Sequence, residues 1–269
     1  MRTIILCADD YGQNAAISQG ILELVAQRRL SAVSCLVNYA DWPTYAAWLK
    51  PYINKIDIGL HFDLTNSYAD LLKLITTSNL RLLNRKKITA AINQQLNTFI
   101  SSFGKYPDFI DGHQHIHQLP IISDAILAVY NERLTTPQPY IRWVPEHTEM
   151  QSLKSLAIAL ASDCGFKHKL SRAQIPFNPS FGGIYNFKHS SNYSQIFPHF
   201  LAKITDRGII MCHPGQSSTD QNDPLATSRH HELQYFLSDQ FVADCRQQQI
   251  IVGAGFPHPG SPGEQQCAG

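Results

Sequence analysis

The sequence predicts an α/β fold, a single (β/α) barrel of the TIM type built from seven or eight strand–helix units. Short apolar segments rich in β-branched residues alternate with longer segments whose apolar residues recur every three or four positions. That alternation is typical of a parallel sheet, and this number of units in about 250 residues matches one barrel better than two domains. No Gly-x-Gly-x-x-Gly follows the first strand, which disfavours an open dinucleotide-binding sheet.

The first half of the chain contains four predicted strands. Residues 2–8 form a short β-rich apolar run that stops at two aspartates, so we interpret them as a buried strand rather than a signal peptide. Residues 15–29 are predicted to be helical, because Ile17, Ile21 and Leu24 share one face. The other predictions are strands at 32–37, 57–64 and 109–111, helices at 42–49 and 89–103, a helix stop at Gly104, and an unassigned insertion at 71–87.

The second half continues the same alternation. Its predicted helices are 120–134, 153–164, 193–204 and 229–248, and its predicted strands are 140–144, 208–212 and 250–252. The segment 176–188 is rich in aromatic residues, Gly, Asn and Pro, which indicates a loop with short strands. The barrel domain is therefore predicted to span residues 1–252, and the Gly- and Pro-rich residues 253–269 are predicted to be a flexible tail.

Composition narrows the class of protein. The 269 residues are 43% hydrophobic, which is too many apolar residues for a disordered chain. A net charge of +1 provides no basic field, so nucleic acid is not a predicted partner. No apolar run reaches the length of a membrane span. The six cysteines lack Cys-x-x-Cys spacing, which favours a reducing cytoplasm over a disulfide framework.

The ionisable residues of interest follow predicted strands directly, and 12 histidines are available for such positions. Because the carboxyl ends of barrel strands converge on one face, side chains from distant segments should meet in one cleft there. They are Asp9 and Asp10 at the end of the first strand, His61 and Asp63 at the end of the third, Asp111, His113, His115 and His117 following the fourth, and His213 at the end of the strand at 208–212.

Each motif has an ordinary structural explanation when it is considered alone. Aspartates before a helix are commonly caps, and a lone histidine on a strand is more often a core residue than a ligand. The residues from Asp111 to His117 resist that explanation, because three imidazoles beside a carboxylate are expensive to desolvate unless they bind something. Which histidine is a ligand, and which orients it or contacts substrate, stays open at this point.

Together the motifs suit a mononuclear metal site with one carboxylate and two imidazoles. Three protein ligands leave positions open for water or substrate, as a catalytic site requires. A further carboxylate can act as a base toward that water, and a further histidine as an acid toward a leaving group. The predicted reaction class is metal-assisted hydrolysis.

Four motifs occur in the order and approximate spacing of a known family. They are ADDYG at 8–12, GLHFDLT at 59–65, DGHQHIH at 111–117 and HPG at 213–215. Over residues 2–250 the chain resembles the YdjC-like carbohydrate deacetylases, which include chitooligosaccharide deacetylases. The resemblance implies a distorted (β/α) barrel that removes acetyl groups from N-acetylated sugars with one divalent metal ion.

The resemblance also implies residue roles. Asp9 is the general base, Asp10, His61 and His113 are the metal ligands, and His213 is the acid that protonates the leaving amine. The family's metal is usually magnesium, but imidazole-rich ligation suits zinc better, so both ions stay open. The implied partner is a small N-acetylated sugar, and a homodimer is left open.

Four further residues are candidates for substrate binding: His115, His117, Arg142 and Phe181. Arg142 has three explanations, since it can hold Asp9, hold a substrate oxygen or lie on the surface. Phe181 belongs to the aromatic stretch 177–185, which forms either a sugar-stacking wall or loop packing. The segment 67–87 lacks the Gly- and Pro-rich character of the family's substrate loop, so chitobiose, another acetylated sugar and a hopanoid-linked sugar all remain open.

Two other function classes compete with a deacetylase. A metal-dependent sugar isomerase or epimerase on a barrel would place several carboxylates, often Glu, at its strand ends, and Glu146 is the only glutamate near one. A non-catalytic sugar-binding protein would keep the metal ligands but would not need Asp9 as a base beside Asp10.

Overall fold

A parallel sheet organises the computed structural model, which describes residues 1–65, 67–68, 70–136, 138–145, 165–218 and 223–253. The hydrogen-bonded path runs β5-β4-β3-β2-β1-β7-β6, and β8 pairs with the start of β1. Its strands are β1 (Arg2–Tyr11), β2 (Ala32–Cys35), β3 (Asp57–Phe62), β4 (Phe109–Gly112), β5 (Tyr140–Ile141), β6 (Phe181–Gly182), β7 (Ile209–Cys212) and β8 (Ile250–Val252).

Helices connect most of these strands in the described ranges. They are α1 (Ala15–Ala26), α2 (Trp42–Leu49), α3 (Leu71–Asn79), α4 (Arg85–Phe103), α5 (Ile122–Arg133), α6 (Phe166–Arg172), α7 (Tyr193–Lys203), α8 (Ala226–Leu237) and α9 (Asp239–Gln247). Short 3₁₀ helices occupy Lys50–Tyr52, His113–Gln118 and Phe187–Asn192. None of the described helices is long and apolar enough to cross a membrane.

The two ends of the strand path are joined by residues 177–182, which lie just before and within β6. Phe177 pairs with Ile141 of β5 in an isolated parallel bridge, and four residues later Phe181 pairs with Ile209 of β7. The Asn178 side chain accepts a hydrogen bond from the Trp143 amide at 2.7 Å and donates one to its carbonyl at 2.8 Å. The single distorted (β/α) barrel predicted from the alternation is therefore confirmed.

Strand residues alternate between two apolar layers, as the pleat requires. Ile5 and Cys7 pack on one face with residues from five other strands, among them Phe109, whose ring stacks on Tyr140 at a centroid distance of 5.1 Å. Ile4, Leu6 and Ala8 face the helices on the other side. Because Asp9 continues the series of Ile5 and Cys7, it lies at the end of the inner layer.

Some element boundaries differ from the prediction. The unassigned segment 71–87 forms α3 and the start of α4, whose N-caps Asp70 and Asn84 accept hydrogen bonds from the Lys73 and Lys87 amides. The predicted helix 229–248 is two helices, because Ser238 is extended and caps the second one. Gly104 ends α4 in a left-handed conformation, as predicted. The predicted helix 153–164 and the tail beyond Gly253 lie outside the described residues.

Candidate active site

An irregularity in β1 brings two neighbouring aspartates into one cleft. Adjacent side chains of a regular strand point to opposite faces. The register of β1 against β2 shifts between Ala8 and Tyr11, and Asp10 has a φ of 68° in the left-handed region. A bulge of this kind redirects a side chain. Asp9 and Asp10 are each only 1% exposed, and both contact polar partners at the carboxyl ends of the strands.

Asp10, His61 and His113 form a compact group at this edge of the sheet. The Asp10 Oδ1 atom lies 3.0 Å from His113 Nδ1 and 3.5 Å from His61 Nε2. One ligand atom from each of the three residues lies within 4.8 Å of the others. One carboxylate and two imidazoles are a donor set that suits a divalent transition metal. The structure thus brings together the three residues predicted as metal ligands.

Two buried partners orient His61. Its Nδ1 lies 2.6 Å from Asp111 Oδ1 and 3.0 Å from the Ser34 hydroxyl, which itself donates to Asp111. A carboxylate accepts the Nδ1 proton, so Nε2 is left facing Asp10, as in carboxylate–histidine–metal arrangements. Burial alone would lower the pKa of His61, but Asp111 and Asp9 outweigh it and raise that pKa to about 10. The site therefore favours positive charge at Nε2.

Arg142 forms a bidentate ion pair with Asp9. Its Nη1 donates to Asp9 Oδ2 at 2.6 Å and its Nη2 donates to Asp9 Oδ1 at 2.7 Å, while Asp111 Oδ2 lies 2.6 Å from Nη2. Cys7, Asp9 and Asp111 form a second group of metal-ligand type. The guanidinium already donates hydrogen bonds to Cys7 and Asp9 and forms an ion pair with Asp111, however. Arg142 is 0% exposed, so the surface explanation is wrong and the geometry matches the one in which it holds Asp9.

His213 directly follows β7. Its backbone amide donates to Glu232 Oε2 at 2.6 Å, and its ring packs edge-on against Phe187 at 5.6 Å. Burial lowers the pKa of the imidazole, although Asp10 and Asp9 oppose the shift. Glu232 is fully buried and also accepts from the Tyr185 hydroxyl at 2.7 Å. Burial raises the pKa of Glu232 to about 7.

The segment after β4 is not extended, so its histidines do not share one face. It forms the 3₁₀ turn His113–Gln118, in which Gln114 and His115 have φ angles of 54° and 59°. His113 points to Asp10, whereas His117 is fully buried and its Nε2 donates to the Arg142 carbonyl at 2.8 Å. The His115 ring packs edge-on against Phe181 at 5.7 Å. The turn thus gives each histidine a separate environment.

A cavity of about 440 Å³ lies beside His113. The loop after β3, the helix α3 and the 3₁₀ turn form its wall. Polar groups in the wall come from Asp63, Thr65, Asp70, His113 and Gln114, and apolar ones from Leu64, Tyr68, Leu71, Leu72, Leu74, Ile75 and Ile116. Asp63 therefore lines this cavity and is not a member of the ligand group. Phe181 is not among the residues lining this cavity; its ring lies 5.9 Å from the Arg142 guanidinium carbon.

Two buried residues of the site lie outside every sequence motif. Arg229 and Glu232 come from α8, and sequence reasoning missed them because it searched strand ends. A signal was present, since Arg229 and Glu232 share a helical face with the core residues Leu233 and Phe236. Charged residues at core positions of a helix are rarely buried without a partner.

Fold and site together define a distorted (β/α) barrel with an Asp–His centre suited to a divalent cation at the carboxyl ends of its strands. The chain belongs to the family described as YdjC-like protein, whose model matches residues 3–247. The resemblance drawn from the four motifs is thereby confirmed.

The relatives that match this chain are distant, and each match covers most of the chain. A chitooligosaccharide deacetylase of Yersinia enterocolitica is 25% identical over 230 residues, which are 79% of this chain and 81% of that protein. The chitooligosaccharide deacetylase of Serratia marcescens is 24% identical over 230 residues with the same coverage. A crystal structure of an Enterococcus faecalis protein, provisionally assigned to cellobiose-phosphate cleavage, has a TM-score of 0.69 at 18% identity and covers 94% of this chain and 97% of its own. That likeness shows the fold.

Proposed function

We propose that this protein is a metal-dependent deacetylase that hydrolyses the acetamide of an N-acetylated carbohydrate. One observation carries the proposal: Asp9, fixed by Arg142, lies next to the Asp10, His61 and His113 group in one buried cleft. A general base beside a metal-type centre is the arrangement that metal-assisted hydrolysis of an amide uses. The relatives that are chitooligosaccharide deacetylases support the choice of substrate.

Asp10 Oδ1, His61 Nε2 and His113 Nδ1 would hold the cation in this proposal. A bound divalent ion polarises the acyl oxygen and lowers the pKa of water. Two imidazoles among three protein ligands favour zinc, whereas the family resemblance favours magnesium. Metal analysis of the purified protein distinguishes the two.

Asp9 acts as the general base. It takes a proton from the attacking water while the water oxygen forms a bond to the acetyl carbon. Arg142 binds both carboxylate oxygens, so the orientation of Asp9 is set before substrate arrives. The C–N bond then breaks, the sugar amine takes up a proton, and acetate leaves.

His213 supplies that last proton. Because burial lowers its pKa, the imidazole is neutral in the free site at neutral pH. It takes up the proton that Asp9 removed from the water and passes it to the leaving amine, so Asp9 is ionised again at the end of the reaction. The charges of Asp9 and Asp10 favour the imidazolium once it forms. Its backbone bond to Glu232 fixes the position of the residue.

The cavity beside His113 is the proposed place of the sugar. Its carboxylates and amide can bind hydroxyl groups, and Tyr68 and the leucines of α3 can cover a ring face. His115 and Phe181 stay predicted substrate contacts. His117 and Arg142 act through their protein partners in this proposal, because both are fully buried. A cytoplasmic location and a homodimer stay predictions.

Acetate release tests the proposal. The purified, metal-loaded protein is incubated with N-acetylglucosamine oligomers, and acetate and free amine are measured. We expect both products from the wild type, none from Asp9→Asn with metal still bound, and metal loss from His61→Ala and His113→Ala. Acetate release at the wild-type rate by Asp9→Asn would contradict the base assignment. Sugar isomerisation without acetate would favour an isomerase, and binding without turnover a sugar-binding protein.

A further inference from the structure

A second buried arginine contacts the candidate metal centre. Arg229 of α8 is 3% exposed, and its Nη2 donates to Asp10 Oδ2 at 2.7 Å. Its Nε donates to Asp223 Oδ2 at 2.8 Å, so Asp223 holds the guanidinium in place. The two oxygens of Asp10 therefore have different partners: Oδ2 faces Arg229, whereas Oδ1 faces His61 and His113.

Tight packing fixes the backbone of Arg229 as well. The Gly215 amide donates to the Arg229 carbonyl at 3.1 Å. A Cβ added to Gly215 would lie 3.3 Å from the Arg229 Cβ, and one added to Gly20 of α1 would lie 2.8 Å from the Gly215 Cα. A side chain at position 20 would collide with the Gly215 backbone, so α1 and the HPG motif pack closely together beside the start of α8. Arg229 is held there by neighbours on both sides.

We propose that Arg229 is a positioning residue that restricts Asp10 to binding the cation through Oδ1 alone. A carboxylate can bind a cation through one oxygen or two, and Arg229 occupies the second. Its positive charge also weakens cation binding, since it lies on the same carboxylate. The centre therefore has a lower affinity for the cation, and one coordination position stays open for substrate. This inference rests on the proposed metal site.

The test measures the metal and not only the reaction. Co²⁺ affinity is determined by competition with a chromophoric chelator, and the visible spectrum of the Co²⁺ protein reports coordination number. We expect Arg229→Gln to bind Co²⁺ about tenfold more tightly, equivalent to about 1.4 kcal/mol. We also expect weaker visible absorption, because a second Asp10 oxygen raises the coordination number, and slower acetate release. Arg133→Gln is the control, since Arg133 bonds to the neutral amides of Asn93 and Asn97 on α4.

Two further variants keep the inference open to refutation. Arg229→Gln combined with Asp223→Asn removes the charge that the single variant would leave unpaired at Asp223, and it should show the same changes if the single variant fails to fold. Arg229→Lys keeps the positive charge but loses the planar guanidinium. The visible spectrum of its Co²⁺ complex should therefore change, with a smaller effect on Co²⁺ affinity. Unchanged or weaker Co²⁺ affinity in the folded double variant would overturn the inference. A wild type that binds no divalent ion would instead overturn the proposed function itself.

Discussion

At the scale of single residues, two arginines bind two adjacent aspartates in different ways. Arg142 takes both oxygens of Asp9, whereas Arg229 takes only one oxygen of Asp10. Burial would raise the pKa of Asp10, but Arg229 and His113 outweigh it and hold that pKa well below its usual range. Asp10 is therefore kept ionised as a ligand, and Asp9 is kept oriented as a base.

Replacing Arg142 should impair the general base Asp9 without removing the metal. Arg142→Lys keeps the positive charge but cannot form the bidentate contact with both carboxylate oxygens of Asp9. We expect kcat for acetate release to fall about 100-fold, as for a misplaced catalytic group, with KM and bound metal nearly unchanged. Arg133→Lys is the matched control. Loss of metal in parallel with activity would show that Arg142 acts instead through Asp111 and His61.

Glu232 should make stability depend on pH. Its folded-state pKa of about 7 lies above the ordinary value of 4.5, so the folded state binds the proton more tightly. This stabilisation is complete below pH about 4.5 and is lost as pH rises through about 7. We expect the free energy of unfolding of the wild type, relative to Glu232→Gln, to fall by up to about 3 kcal/mol over that window. Urea unfolding of both proteins at pH 5 and pH 8, in the presence of a chelator, measures it. Parallel pH dependence of the two proteins would refute the assignment.

At the scale of elements, local irregularities place the site. The bulge in β1 turns Asp10 into the cleft, and the 3₁₀ turn after β4 directs His113 to it. In β3, Gly59 lets the Phe109 ring lie against the strand backbone, because an added Cβ would come within 2.3 Å of that ring. His61 lies two residues later on the same strand, in register with Asp111 of β4.

Gly59→Ala should therefore destabilise the barrel. Phe109 is 1% exposed and stacked on Tyr140, so its ring cannot move aside freely. We expect a loss of about 1–3 kcal/mol in the free energy of unfolding, the usual cost of overpacking. Gly182→Ala is the control, because its nearest contact would be an ordinary 3.6 Å. Adding Phe109→Leu should recover part of the loss, and equal costs for the two glycines would contradict the packing argument.

At the scale of the whole molecule, the candidate centre joins distant parts of the chain. Asp10 comes from β1, His61 from β3 and His113 from the turn after β4, so a bound cation would link three elements. The helix α8 reaches the same centre from the far end of the sequence, since Arg229 and Asp10 are 219 positions apart. Metal binding should accordingly stabilise the entire barrel.

Thermal unfolding tests that stabilisation. At a free metal concentration of 100 times Kd, we expect the wild type to gain about 2.7 kcal/mol over the chelated protein. His113→Ala should gain much less, whereas His199→Ala, which changes an exposed histidine on α7, should respond like the wild type. The measurement is Tm with metal and with chelator. A wild-type Tm that does not change with metal would contradict the site.

The sequence by itself determined the barrel and the strand-end residues Asp9, Asp10, His61, His113 and His213. Strand and helix periodicity is local, and parallel strands place their carboxyl ends together, so these features can be derived without coordinates. Only the tertiary structure decided three features: the ion pairs of arginines with Asp9 and Asp10, the burial of Glu232, and the part that α3 has in the cavity wall. Each depends on how segments far apart in the chain pack against one another. A local pattern, such as the helical face that Arg229 and Glu232 share with core residues, indicates burial but does not identify the partner.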